Sequence, residues 1–391
     1  RTARLVEPLA TRRVGDGAAG RNVEFFNAYA QIGPALVERP HNASREVLDI
    51  DQSLIGSGDF FGIMRLDGLD PAIGWGSGAT TGHTAVALRH KVSREEWKEL
   101  RLDKLSGSEI SSDEEEVLMV CESTVKNSYW DRDGVQCNLY DDWVEAAYRA
   151  GYQVVWSPLS PKYRKQFDAQ KALDFFKTVQ GLQYGYHNFL FGWIDTPRDN
   201  YPCMPPDYTT CVEWIHLEVL SILLDGHAGL AESMWLEALN KRVGTVGLRT
   251  IEVYKAAIDR GINLEMLPTI PERDSWLYNT TRDGSSARGE AMVCSTFVCR
   301  MWKAAGLFQE VGNEVNCGEF TPYDVYSLKV FDDDFAFPAE CKEADPNNPS
   351  GCQIMGKYTL RLNEFNSREI SAGMAELCPS LAPRYIRPQG C

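Results

Sequence analysis

The 391-residue sequence predicts an α+β protein: short strands in its first half, a helical insertion, a cysteine-headed helix and a disulfide-rich C-terminal tail. Three observations carry that prediction. Apolar, β-rich runs bounded by glycine turns recur between residues 60 and 123. Segments with helical spacing of apolar residues then follow, several closed by glycine. Finally, the chain holds 11 cysteines, four of them in its last 55 residues.

Residues 1–54 form a mixed N-terminal arm without a clear pattern. Gly56-Ser57-Gly58-Asp59 is a turn that leads into an apolar run from Phe60 to Met64, the first strand. A second strand opens at Gly82-His83 and continues through Leu88, and a third runs from Val117 to Ser123 and carries Glu122 near its end. The acidic stretch Ser111 to Glu116 reads as a solvated loop. Asp141 to Gly151 has acidic residues at its start and glycine at its end, which is helix punctuation. Tyr152 to Trp156 is β-rich and closed by Pro158. Phe167 to Gln180 is an amphipathic helix, with Phe167, Leu173, Phe176 and Val179 on one face and Gly181 as its stop. An aromatic segment, Tyr184 to Phe191, follows. Residues 196–287 read as an insertion with helices near 211–224, 230–242 and 249–260, the last two ended by Gly244 and Gly261. Cys294 to Gly306 is a helix beginning at cysteine. Beyond Pro322, Val325 to Phe331 and Tyr358 to Leu362 are strand-like, and residues 336–391 form the tail.

Composition narrows the function classes. No segment reaches the roughly 18 uninterrupted apolar residues of a membrane span. The formal charge of −15 opposes nucleic acid and anionic lipid as main partners, because an acidic surface is repelled by both at long range. The cysteines show no C-x-x-C pair and no zinc-ligand spacing, so neither a metal nor another cofactor is expected. With Cys294 set aside they fall into short-range couples: Cys121 with Cys137, Cys203 with Cys211, Cys299 with Cys317, Cys341 with Cys352, and Cys378 with Cys391. Sequence leaves the connectivity open, but five bridges and one free thiol is the simplest arithmetic for an oxidising compartment. The sequons at Asn42 and Asn279 agree with a secreted or lumenal location. A start at Arg1 rather than Met suits a chain from which a signal or pro-segment, or simply a flanking piece, has been removed.

Cys294 is the candidate nucleophile. The first turn of a helix favours a thiolate through its free N–H groups and dipole, and Cys294 is the thiol left over from the pairing. A buried structural thiol, or a bridge to Cys299, is the alternative. Among six histidines, His83 follows a glycine at the head of an apolar strand, where its ring can emerge at a sheet end. Glu122 sits near the end of the next strand, and antiparallel pairing would bring its carboxylate to that imidazole. His187, in the aromatic segment, is the competing base.

In order along the chain, Gly58-Asp59, Gly82-His83, Glu122, Gly181 with Tyr184, and Cys294-Ser295-Thr296-Phe297-Val298 resemble the circularly permuted branch of the papain-like NlpC superfamily, in which the histidine strand precedes the cysteine helix. The resemblance spans residues 55–195 and 288–308, about two fifths of the chain. It implies a catalytic core over residues 55–195 and 288–335, a Cys294, His83 and Glu122 triad, and an antiparallel sheet packed on the cysteine helix. It further implies that Tyr184 lies near the nucleophile as an oxyanion donor.

The activity so implied is a cysteine hydrolase that cleaves a peptide or isopeptide amide through a thioester. A lipid acyltransferase or thioesterase is the second expectation, with Phe189, Phe191 and Trp193 as a candidate channel wall, and a catalytically silent secreted binding module the third. The partner is a peptide-like or acyl-bearing substrate. Oligomeric state is not legible, and neither is the choice among lid, specificity wall and dimer surface for the insertion.

Overall fold

The computed structural model describes residues 16–371 except 30–34, 40–46, 67–68, 104–106, 108, 111, 128, 190, 192–202, 205–209, 212–230, 265–266, 268–269, 313, 346–347 and 349–350. In chain order the strands are β1 (Leu36–Glu38), β2 (Phe60–Met64), β3 (His83–Ser93), β4 (Glu114–Thr124), β5 (Gly134–Leu139), β6 (Gln153–Ser157), β7 (Cys203–Met204), β8 (Thr210–Cys211), β9 (Tyr278–Arg282), β10 (Ser285–Gly289), β11 (Cys352–Met355) and β12 (Tyr358–Leu360). The helices are α1 (Asp16–Tyr29), α2 (Leu69–Ser77), α3 (Arg94–Glu99), α4 (Tyr140–Ala150), α5 (Pro161–Gln166), α6 (Ala169–Val179), α7 (Tyr186–Phe189), α8 (Ala231–Val243), α9 (Thr250–Asp259), α10 (Cys294–Ala304), α11 (Pro322–Ser327) and α12 (Ala339–Ala344).

A six-stranded antiparallel sheet in the order β11-β6-β2-β3-β4-β5 organises the molecule, so the protein is α+β. Alternation along its strands sends side chains to opposite faces, and each face has its own core. Val86, Leu88, Met119 and Cys121 face the layer built by α6 and α10, with Phe176, Phe297, Val298 and Trp302. Ala85, Ala87, Leu118 and Val120 face α4, with Trp143, Ala146 and Ala147. Helix α10 buries Cys294 to Cys299 continuously, together with Met301 and Trp302, because it lies between the sheet and the segments around α6 and α11. Trp302 Nε1 donates to the Gly58 carbonyl at 3.0 Å, which ties the back of this helix to the turn before β2.

Local punctuation accounts for the element ends. Gly151 stops α4 in a left-handed conformation, φ 78°, and its N–H caps the Ala147 carbonyl. Asp168 caps α6, accepting from Lys171 N at 3.1 Å. The helix therefore begins after Phe167, which instead ends α5.

Several expectations need correction. Glu114 to Glu116 open β4, pairing with Ser93, Val92 and Lys91, rather than forming a loop. No strand is expected from the sequence between β4 and α4, yet β5 lies there, at the sheet edge. The run Val325 to Phe331 is not a strand: Thr321 accepts from Asp324 N while Asp324 accepts from Thr321 N, a capping box that with Pro322 starts α11. Within residues 336–391, β11 joins the main sheet beside β6 and β12 pairs with β1 of the N-terminal arm. Within the insertion, α8 and α9 stand where helices were expected and are followed by the β9–β10 hairpin. They close a separate small core with Phe191, Trp235, Leu239, Val253 and Tyr278. The helix expected near 211–224 lies outside the described residues except at Cys211.

Disulfides link Cys121 to Cys137, Cys299 to Cys317 and Cys341 to Cys352, three of the expected couples. Cys203 and Cys211 occupy opposed positions on the β7–β8 ladder. Cys378 and Cys391 lie outside the described residues, as does Asn42. Bridges of this kind belong to oxidising compartments. Among the described residues no helix is long and apolar enough to cross a membrane.

Candidate functional site

Cys294 is the free cysteine of the described residues, and it stands at the first position of α10, 3% exposed. The approach to it is fixed residue by residue. Ser123 Oγ donates to the Met292 carbonyl at 2.8 Å and Gly185 N donates to the same carbonyl at 3.0 Å. A Cβ at Gly185 would lie 2.5 Å from Met292 backbone atoms, so only glycine lets the two segments touch. Val293, with φ −76° and ψ 172°, then turns the chain into the helix, and no side chain caps it. The first-turn N–H groups of α10 therefore point at the space around the thiol.

His83 opens β3 at the same end of the sheet. Gly82 before it passes against α2 so closely that a Cβ would sit 2.3 Å from Asp70 Cβ, which is the physical reason for glycine ahead of this histidine. The register that pairs Val86 with Cys121 carries Glu122 one step further toward the His83 end. His83 Nε2 lies 2.5 Å from Glu122 Oε2, with both residues at most 2% exposed. A carboxylate can only accept, so the hydrogen is on Nε2 and Nδ1 is the nitrogen left for the thiol. Trp143 Nε1 donates to the other carboxylate oxygen at 2.8 Å. The Cys121–Cys137 bridge joins paired positions of β4 and β5 immediately beside Glu122, locking the register that places it.

These contacts set the charge states. Burial alone disfavours imidazolium, but the charge and hydrogen bond of Cys294, with those of Glu122, hold His83 up at about 9. Burial likewise opposes the thiolate. The charge and hydrogen bond of His83, followed by the hydroxyl and backbone N–H of Thr84, bring the Cys294 thiol below its usual value. Thr84 is fully buried, and its hydroxyl makes no hydrogen bond among the described residues. Both shifts run toward the thiolate and imidazolium forms.

Tyr184 reaches the site through the loop after α6, paired with Met292 across an isolated bridge. Burial, and then the neighbouring Cys294, push its phenol well above the usual value, so it stays a neutral donor. Tyr184, Asn188, Phe189, Val293, Cys294, Ser295, Phe320 and Pro322 line a shallow, half-open cleft.

The structure brings Cys294, His83, Glu122 and Tyr184 together. It spends the competing base elsewhere: His187 is stacked on Tyr278 at 4.4 Å and contacts the Asn279 carbonyl at 3.1 Å. Asp59 is structural, accepting from Trp156 Nε1, Leu159 N, Gly56 N and Arg164. Asn279 is exposed on β9, and its amide donates to Glu237 at 3.1 Å. Sequence reasoning missed Thr84, Trp143 and Asn188. Thr84 had one available signal, a hydroxyl in an otherwise apolar strand directly after the histidine. Among the described residues no group of three or more His, Cys, Asp and Glu is arranged to hold a metal ion. Comparison with protein-family models, with curated proteins and with solved structures gave no match.

Proposed function

We propose that this chain is a secreted or lumenal cysteine hydrolase of the permuted papain-like type, acting on an amide bond through a thioester intermediate. One observation carries the reading: a buried free thiol at a helix N-terminus is electrostatically coupled to an imidazole whose far nitrogen is held by a buried carboxylate. The order of these groups along the chain, histidine strand first and cysteine helix later, is what supports the permuted arrangement. The three bridges and the exposed Asn279 sequon support the compartment.

In this reading the Cys294 thiolate attacks the substrate carbonyl, and a C–S bond forms. The Cys294 N–H, at the open end of α10, and the Tyr184 hydroxyl donate to the developing oxyanion. His83 passes its proton to the leaving amine as the C–N bond breaks. Water, deprotonated by the now neutral His83, then releases the acid and regenerates the thiol. The apolar lining of the cleft favours a thioesterase or acyltransferase as the second reading, in which an ester or thioester replaces the amide.

The direct test is alkylation of the unreduced protein with a limiting thiol reagent across pH, with the label located by peptide mass spectrometry. Rapid labelling at Cys294 well below pH 8, lost in His83→Ala, is expected. An unreactive Cys294, or one found in a disulfide, would remove the basis for a hydrolase and leave a binding module.

A further inference from the structure

The side chains lining the cleft beside Cys294 carry no formal charge among the described residues. Ile73, Val293, Phe189, Phe320 and Pro322 supply apolar surface, and the polar members are Ser77, Tyr184, Asn188, Ser295 and Thr321. Apart from Tyr184, the donors of these polar groups are turned into the protein. Ser77 Oγ donates to the Ile73 carbonyl at 2.7 Å, Ser295 Oγ to the Phe320 carbonyl at 2.5 Å, and Thr321 Oγ1 to Asp324 at 2.7 Å. Asn188 donates to the Gly318 carbonyl while its oxygen accepts from Arg242 at 3.2 Å. Apart from the Cys294–His83 pair, the charges nearest the cleft are paired behind its walls: Arg65 is bound to Asp70, and Arg242 to Glu272 with Glu319 beside it. Away from the Cys294–His83 pair, an entering carboxylate or ammonium would lose water and find no opposite charge on the walls.

We propose that this cleft binds the acyl side of the substrate, and that the acyl group is neutral and predominantly aliphatic or aromatic, a few carbons in length. This rests on the cysteine-hydrolase reading. Its content is the chemical class that Cys294 accepts. Acylation forms the Cys294 S–C bond and breaks the bond from the carbonyl to the leaving group, which departs with the proton held by His83. The Cys299–Cys317 bridge holds the wall from Gly318 to Pro322 against α10, so the cleft keeps its shape.

The test uses the intact protein with 4-nitrophenyl acetate, butanoate, hexanoate and phenylacetate, set against the 4-nitrophenyl monoester of adipic acid and 4-nitrophenyl 6-(trimethylammonio)hexanoate. Release of 4-nitrophenol gives kcat/KM, and mass spectrometry locates the thioester. The neutral series should gain about fourfold per added methylene until the cleft is full. Both charged esters should be tenfold or more slower than the hexanoate, roughly the least that uncompensated burial of charge would cost. Phe320→Ala, which enlarges the cleft, should move the optimum to a longer chain. Equal or faster turnover of a charged ester, with Cys294 acylated, would overturn this inference and leave the hydrolase reading intact. No acylation by any ester from a protein whose Cys294 still alkylates would overturn both.

Discussion

Replacing Glu122 by Gln tests the electrostatic core of the site. The carboxylate lies 2.5 Å from His83 Nε2 and also accepts from Trp143 Nε1 at 2.8 Å. An amide cannot serve both donors in the same way. If its oxygen faces His83, the Trp143 N–H meets an NH2 group. If its nitrogen faces His83, the ring must carry its hydrogen on Nδ1, the wrong tautomer to take a proton from the thiol. A charge-assisted hydrogen bond contributes about 1.5–3 kcal/mol, which corresponds to roughly one to two pKa units. His83 should therefore fall from about 9 toward 7–8. In the thiolate–imidazolium pair the same loss cuts the ratio of ion pair to neutral pair by about tenfold to a hundredfold. The assay is the pH dependence of Cys294 alkylation, followed together with the ultraviolet absorbance of the thiolate. In the unaltered protein the ion pair persists from the depressed thiol value up to about 9. In Glu122→Gln the limb near 9 should move down with His83, and the thiolate fraction and alkylation rate between the two limbs should fall. A folded Glu122→Gln protein with an unchanged limb near 9 and an unchanged thiolate fraction between the limbs would refute the argument that Glu122 holds the imidazolium.

Other expectations follow from the same geometry. Thr84→Val removes the hydroxyl at the thiol while keeping shape, and should raise the Cys294 value by up to about one unit, with Thr84→Ser restoring it; the alkylation pH profile reads this directly. Tyr184→Phe should leave alkylation unchanged while lowering kcat by about 10²–10³, the usual cost of one oxyanion donor, measured by turnover of a 4-nitrophenyl ester. Replacing both Cys299 and Cys317 by Ala should cost about 2–4 kcal/mol of stability in denaturant titrations, and should blunt acyl-chain selectivity because the cleft wall loses its tie to α10. Arg242→Ala should destabilise by about 3–5 kcal/mol, since it strands Glu272 in a buried setting. Far less loss in thermal or denaturant unfolding would mean that the pair is not buried in solution.

The amino-acid sequence by itself determined the local pieces. The apolar runs from Phe60 and from His83, the acid-to-glycine punctuation of α4, and the free position of Cys294 ahead of a helix all follow from nearest-neighbour chemistry, and each stands where that chemistry put it. The proximity of His83 and Glu122 was also legible, because antiparallel pairing of two adjacent strands leaves few registers once each has an apolar face to bury.

Only the tertiary structure decided the rest. That β11 returns from beyond residue 350 to complete the sheet depends on an edge of β6 left open by everything earlier in the chain, which no local pattern reports. That Val325 belongs to a helix depended on Thr321 and Pro322 overriding β-branched propensity. The role of Thr84 arises because α10, more than 200 residues later, sets a sulfur against its hydroxyl. The uncharged cleft likewise draws its walls from α2, α7, α10 and the segment before α11, each drawn there by its own buried face. Short-range chemistry can be read from sequence because it acts between neighbours in the chain. The composition of a cleft between four distant segments is fixed only when burial of their apolar faces has brought them together.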